Sequence, residues 1–218
     1  MAKTLTVGKA LEIVGVRYPK VMLESIGARF ASEVRDFMWH AFPWKVSLGD
    51  LVPFGLVQDQ ADYGPPYITL PSDFYGIHDA WIRDYANELY PLTVETETRV
   101  SWTSDIPTTI SVTELGNLRI HPRPIFYGPD YWLEGKYKKS TSPITPSNIN
   151  STVLPWDDIY FEVFRRGLIW KVKEELIGDP KAADDLSIWM TWLQKMIAHE
   201  QFQDGVTTIH PRYPLTMG

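Results

Sequence analysis

Apolar residues recur with helical spacing at both ends of the chain and lose that spacing in the middle. Near the N-terminus, Val7, Leu11 and Val14 fall at i, i+4 and i+7, one face of a short helix, with Thr6 placed as its N-cap. Gly15 ends this helix and Pro19 blocks easy continuation. A longer stripe follows: Met22, Leu23, Ile26, Phe30, Val34, Phe37 and Met38, with Lys20, Glu24, Arg29, Glu33 and Arg35 on the opposite positions. This predicts an amphipathic helix packed on something.

From residue 41 to 154 the helical period disappears, and Pro and Gly become frequent. Short runs rich in β-branched and aromatic residues, at 67–70, 77–83, 89–93, 109–113, 118–121 and 131–137, predict strands. Gly116-Asn117 between two of them reads as a hairpin turn. The stretch 138–155 is rich in Ser, Thr, Asn and Pro and reads as a long surface loop or linker.

Helical spacing returns at about residue 156, with Asp157 or Asp158 able to cap the start. Gly178-Asp179-Pro180 is the clearest punctuation in the chain. Glycine suits the position just past a helix, aspartate an N-cap and proline a first helical turn, so two long helices joined by a tight turn are expected. The first carries apolar residues over more than one face, including Tyr160, Phe164, Leu168, Trp170 and Val172. The second carries Leu186, Trp189, Leu193 and Met196 on one stripe, with Ile188 and Trp192 off it. A helix apolar on more than one face is buried by more than one neighbour. The N-terminal helices can cover one face. Trp170, Ile188 and Trp192 are then candidates for contact with other subunits, or else belong to the intrachain core. Residues 205–218 hold two prolines, three threonines and no acidic residue, and read as extended. The expected architecture is α+β: a helical bundle made of two N-terminal helices (1–40) and a C-terminal αα-hairpin (155–203). An inserted antiparallel β region (41–154) and an extended tail (204–218) complete it.

Composition narrows the function. The 218 residues include no cysteine, which excludes disulfides, thiol catalysis and cysteine-based zinc sites. Nine Trp and 11 Tyr are a heavy aromatic load, consistent with large interfaces or with an aromatic β core. The net charge of -6 argues against a protein that grips nucleic acid, because phosphate needs cationic surface. No stretch reaches a membrane span and the first residues lack the apolar core of a signal peptide, so a soluble protein made in the cytoplasm is expected.

Motifs that carry chemistry do not emerge. His40, His78, His121, His199 and His210 show no metal-ligand spacing, and His199-Glu200 reads as helix-end electrostatics. Gly64-Pro65-Pro66 and Gly128-Pro129-Asp130 are turns whose prolines remove the amide donors that an anion site needs. The pairs Asp157-Asp158, Glu174-Glu175 and Asp184-Asp185 point about 100° apart on a helix and form no acid/base pair by themselves. No catalytic, cofactor-binding or metal-binding residue is expected, and the chain reads as a structural protein, not an enzyme. Two aromatic groups, Trp81 with Trp102 and Trp132, and Phe42-Pro43-Trp44, leave open a carbohydrate-binding surface beside the plainer reading of core.

At this point the order of segments resembles the head-to-tail adaptors of tailed bacteriophages, the family that includes the tail tubular protein of short-tailed phages. Tyr67-Ile68-Thr69-Leu70-Pro71-Ser72-Asp73-Phe74 is similar to a recurring strand that ends in Leu-Pro-x-Asp-Phe. Phe42-Pro43-Trp44-Lys45-Val46 looks like the tryptophan stretch after the long N-terminal helix, and Asn117 to Pro124 like the strand followed by Pro-x-Pro. Leu154-Pro155-Trp156-Asp157-Asp158 and Gly178-Asp179-Pro180 complete the order. The likeness spans about residues 5–203, with 143–155 resembling an insertion and the tail matching no motif.

The resemblance implies a virion protein of the neck between head and tail. It implies a homo-oligomeric ring, commonly a dodecamer, below the portal protein. The genomic DNA passes through the bore without specific binding, and the strand region faces the next tail or nozzle protein. It implies no cofactor and no membrane. The C-terminal segment would reach the portal, which makes His210, Pro211, Arg212, Tyr213, Pro214 and Leu215 the candidate contact, with Arg212 and Tyr213 as its anchors. A neck or tail completion protein one layer further down is the alternative.

Overall fold

Thr6 caps the first helix, α1 (Val7–Gly15), where its hydroxyl accepts the Lys9 N–H at 3.3 Å. The N–H groups of Val7 and Gly8 would also be orphaned at a helix start. They donate instead to the carbonyls of Thr152 and Ile149 at 2.9 and 3.0 Å. The approach is close enough that a Cβ on Gly8 would fall 2.2 Å from Asn150 Oδ1. The computed structural model describes residues 5–22, 24–96, 103–126 and 130–203. They form two compact units, one from the described residues of 1–44 and 142–218 and the other from 45–141.

In the first unit, α2 (Glu24–Ala41) buries the predicted stripe at Phe30, Val34 and Met38. Phe37 stands at the edge of that stripe, its ring 5.1 Å from Trp189. Helix α3 (Phe161–Lys171) continues through a π-helical turn, Val172–Ile177, to Gly178, which takes φ 65°. That left-handed conformation favours glycine. The Asp179 carboxylate then accepts the Lys181 N–H at 2.9 Å, and α4 (Ala182–Gln203) begins. Trp189, Leu193 and Met196 of α4 pack with Phe164 and Leu168 of α3 and with the α2 stripe in one core. Gly167 permits this approach: a Cβ there would lie 2.5 Å from Val34 Cγ1 and 2.8 Å from Trp189 Cε2.

Of the stretch 138–155, expected to be a surface loop or linker, Lys138 and Lys139 end a strand of the other unit, and from residue 142 onward it is a built part of this unit. Ile144, Ile149 and Leu154 are buried, and the buried Arg35 guanidinium donates to the Ser142 carbonyl. Its polar groups cap α1 and knit local turns around Asn148, so a composition typical of loops conceals ordered structure.

The second unit is a sheet. Its strands are β1 (Leu48–Asp50), β2 (Phe54–Gly55), β3 (Asp62–Tyr63), β4 (Phe74–Arg83), β5 (Leu89–Val94), β6 (Ser104–Asp105), β7 (Thr109–Val112), β8 (Leu118–His121), β9 (Arg123–Pro124) and β10 (Trp132–Lys139). Eight of them form one sheet in the order β1-β10-β4-β5-β7-β8-β3, with β2 also on β10; β6 and β9 pair separately. Leu56, Tyr63, Ile82, Ile110, Leu118, Ile120 and Leu133 fill its interior. Gly116, at φ 76°, makes the turn between β7 and β8, whose register runs from Thr109 opposite His121 to Val112 opposite Leu118.

The expected helical bundle with an inserted antiparallel β region is not what forms. The fold is dominated by a curled mixed sheet resembling half a barrel, accompanied among the described residues by four α-helices. The sheet has a core of its own, separate from that of the helices. It is mixed because β5 meets β7 in parallel, with Thr93 opposite Thr109, and β6 meets β9 in parallel. Periodicity along one strand does not encode the direction of its neighbour, and strands of two or three residues leave no period to read. The segment 67–70 forms turns and loop, with Ile68 buried, not a strand.

Tyr63 gives this core an alkaline limit. Its hydroxyl accepts the Val57 N–H at 3.1 Å and donates to the Val57 carbonyl at 3.2 Å, and burial pushes its pKa from 10.0 up to about 12. The fold therefore favours the protonated phenol. Its contribution is complete below pH 10.0 and is lost as the pH rises toward 12. The urea midpoint of the chain should fall across that window, with Tyr63→Phe showing a shallower fall. A midpoint independent of pH there would contradict this assignment.

Candidate functional site

Helix α4 presents two different sides. Trp189, Leu193 and Met196 face the core, while Ile188 and Trp192 stand 46% and 37% exposed. Trp192 is flanked by cations: the Arg166 guanidinium carbon lies 4.7 Å from its ring centroid and Lys195 Nζ 5.7 Å. Such contacts contribute about 0.5–1 kcal/mol at exposed sites and hold the indole in one orientation. Arg166 is itself held by Glu162 at 3.0 Å, and Glu162 also takes a two-pronged contact from Arg165 at 2.7 Å. The Arg165 hydrogen bond keeps the Glu162 carboxyl below its ordinary range. The outward face of α3 and α4 is thus an apolar pair, Ile188 and Trp192, rimmed by basic groups.

The third expected contact residue belongs elsewhere. Trp170 is half-buried and stacks on Trp189, with ring centroids 5.1 Å apart and planes at 21°. The structure therefore joins Trp170 to the inner side of α4 and leaves Ile188 and Trp192 on the outer side. Beside Trp170, Lys171 bridges Glu33 at 3.1 Å and Glu175 at 3.0 Å, and Arg29 reaches Glu175 at 2.7 Å. This network ties α2 to the end of α3. Exposed pairs of this kind are worth about 0–1 kcal/mol each. Arg166 and Lys195 were not singled out from the sequence. Lys195 could have been, because it lies three residues beyond Trp192 on one helix face.

The residues His210, Pro211, Arg212, Tyr213, Pro214 and Leu215 lie outside the described residues, as does Trp102. Trp81 and Trp132 do come together on one face of the sheet, since Trp132 pairs with Arg83 and Glu134 pairs with Trp81 across β10 and β4.

Several of the titratable groups singled out in the sequence have structural partners. His199 and Glu200 both meet the hydroxyl of the buried Tyr160, which donates to Glu200 Oε1 at 2.8 Å, so tertiary contact and not helix-end electrostatics accounts for them. Burial and the neighbouring Glu200 carboxylate push the Tyr160 phenol up. Asp158 accepts the Leu5 N–H at 3.2 Å, and Asp185 holds Lys173 at 2.6 Å. Among the described residues, no group of three or more His, Asp or Glu side chains is placed to share a metal ion, and no helix is long and apolar enough to cross a membrane.

A search of curated proteins finds no match. A family model does match: residues 48–211 correspond to the SU10 adaptor protein, a span that takes in the whole sheet and helices α3 and α4. That is well over half of the chain, and it agrees with the resemblance carried by its Leu-Pro-x-Asp-Phe and Gly-Asp-Pro segments. The chain belongs to the SU10 adaptor protein family, a family of phage head-to-tail adaptors, and is a bacteriophage structural protein.

Proposed function

We propose that this chain is one subunit of a ring that sits below the portal protein and joins the phage head to its tail. The observation that carries the reading is the exposed Ile188 and Trp192 pair on α4, rimmed by Arg166 and Lys195, within a family of adaptors. A large aromatic ring held at the surface between a guanidinium and an ammonium group has the character of an interface hot spot. In the ring this face meets a second copy. The number of copies is commonly twelve in proteins this chain resembles. The bore passes the genome, and a net charge of -6 suits a conduit that must not hold phosphate.

The tail, around His210 to Leu215, is the proposed portal contact, with Arg212 and Tyr213 as anchors. An extended segment can bind along a groove at the cost of ordering itself. The strand region, through its loops and edges, is the side toward the next tail or nozzle protein.

The test is assembly with the portal, read by native mass and sedimentation. The full chain should add to the portal as a closed ring. Removal of residues 205–218 should abolish that addition, and portal binding that survives the truncation intact would refute the tail assignment. Trp192→Ala should weaken ring formation while changing the stability of the single subunit by less than about 1 kcal/mol, because the ring is exposed. Undiminished assembly by Trp192→Ala with Ile188→Ala would remove α4 from the interface.

A further inference from the structure

We propose that the solvent-facing side of the β10–β4–β5 sheet is a binding surface for a neutral carbohydrate, with Trp132 and Trp81 as stacking platforms. It lies within the β unit and stands independently of ring formation.

The register builds the surface. Leu133 and Ile82 are opposite each other and point inward, 0% and 1% exposed. Their neighbours along each strand therefore point outward. One outward row runs Gly55, Trp132, Arg83, Leu89, and the next runs Glu134, Trp81, Pro91. Trp132 is 37% exposed and Leu89 58%. Trp132 and Trp81 are diagonal neighbours on adjacent strands, about 7–8 Å apart by sheet geometry. Gly55 puts no side chain on one flank of Trp132.

The polar groups between the rings are already fixed. The Trp81 indole N–H donates to Glu134 Oε2 at 3.1 Å, and Arg83 pairs with Glu134 Oε1. This pins the edge of Trp81 and the plane of Arg83, so little side-chain freedom is lost when a ligand lands. A guanidinium carries five donors and a carboxylate several acceptor sites, more than this pair consumes.

Each feature selects the ligand. An indole face is electron-rich and attracts weakly positive C–H bonds. The C–H bonds of a sugar ring are polarised by the adjacent oxygens and line one side of a flat ring. Arg83 and Glu134 offer donors and acceptors in reach of the hydroxyls at its rim. The charges on this face oppose a phosphate ligand: Arg83 and Lys136 are matched by Glu134 and Asp79, with Asp50 opposite Lys136. A protein partner would need about 20–30 residues on this side. Among the described residues, the aromatic and apolar patch in these rows is the exposed Trp132, Leu89 and Pro91 with the half-buried Trp81, and that area suits two or three sugar rings.

The test titrates the full chain with short neutral hexose and N-acetylhexosamine oligosaccharides, read by tryptophan fluorescence and by saturation-transfer NMR. Saturable binding is expected for at least one series. Trp132→Ala should weaken it about tenfold, and Trp132→Tyr, which keeps a flat ring, should retain much of it. Tyr75→Ala, an exposed aromatic on β4 away from these rows, should leave it unchanged, and unfolding curves of all variants should match the parent. No saturable binding to any neutral oligosaccharide would overturn the proposal. So would binding indifferent to Trp132→Ala, or tighter binding of a single-stranded DNA oligonucleotide that competes at the same tryptophans.

Discussion

Trp189→Ala should lower the stability of the chain by about 3–5 kcal/mol, the range for removing a fully buried large aromatic. Trp189 is 0% exposed and is the point where the helices of its unit meet. Trp170 stacks on it at 5.1 Å, Phe37 lies at the same distance, and the Gly167 backbone passes beneath it. Truncation leaves a cavity bounded by rings that cannot collapse without moving α2 and α3. Its indole N–H is buried with no hydrogen-bond partner among the described residues, so ring contact accounts for its place. Trp189→Phe should therefore cost much less than Trp189→Ala. Urea unfolding followed by helical circular dichroism measures both. Equal losses would show that the N–H, and not the ring, matters. Gly167→Ala should cost about 1–3 kcal/mol from the other side of the same contact.

Gly135→Ala should destabilise the sheet by about 1–3 kcal/mol, and Gly135→Val by more. Gly135 sits opposite Ala80 in the middle of the β10–β4 pairing. A Cβ there would lie 2.6 Å from the Asp79 carbonyl oxygen and 3.2 Å from Ala80 Cα. Both are backbone atoms, so relief requires parting two central strands. Gly76 on β4 provides the contrast, since a Cβ there meets nothing within 4 Å. Gly76→Ala should be neutral or slightly stabilising, by up to about 1 kcal/mol, through loss of unfolded-chain freedom. If both alanines behaved alike, the close approach at Gly135 would be wrong.

Much of the local structure was legible in the residues. Thr6 caps α1, Gly178 turns left-handed between α3 and α4, and Gly116 makes the β7–β8 hairpin. In each case one side chain, or the lack of one, decides the backbone within a few residues, so the chemistry is complete in the local sequence. The apolar stripe of α2 and that of α4 were legible for the same reason. The family was readable from the order of short segments, none of them specific alone.

The rest required the folded chain. The polar stretch 142–155 is built in because its carbonyls meet the N–H groups of α1 from more than 140 residues away. The mixed sheet joins β10 to β4, β1 and β2, and turns parallel between β5 and β7; none of these pairings is written in the period of one strand. The stripe of α4 already sets Trp189 apart from Trp192 in sequence, but Trp170 groups there with Trp192 as an outward candidate. Only packing sends Trp170 into a stack with Trp189 and leaves Trp192 at the surface under Arg166. The sequence by itself determined the cap and end of α1, the turn between α3 and α4, which helix faces are apolar, and which family the chain resembles, because those depend on near neighbours and order. It did not place the start of α3, which begins at Phe161 with no cap from the Asp157 side chain. The tertiary structure alone decided the sheet as the dominant element, the stacking of Trp170 on Trp189, and the meeting of Trp132 with Trp81. These depend on contacts between distant residues, and hydrophobic burial does not specify its partners in advance.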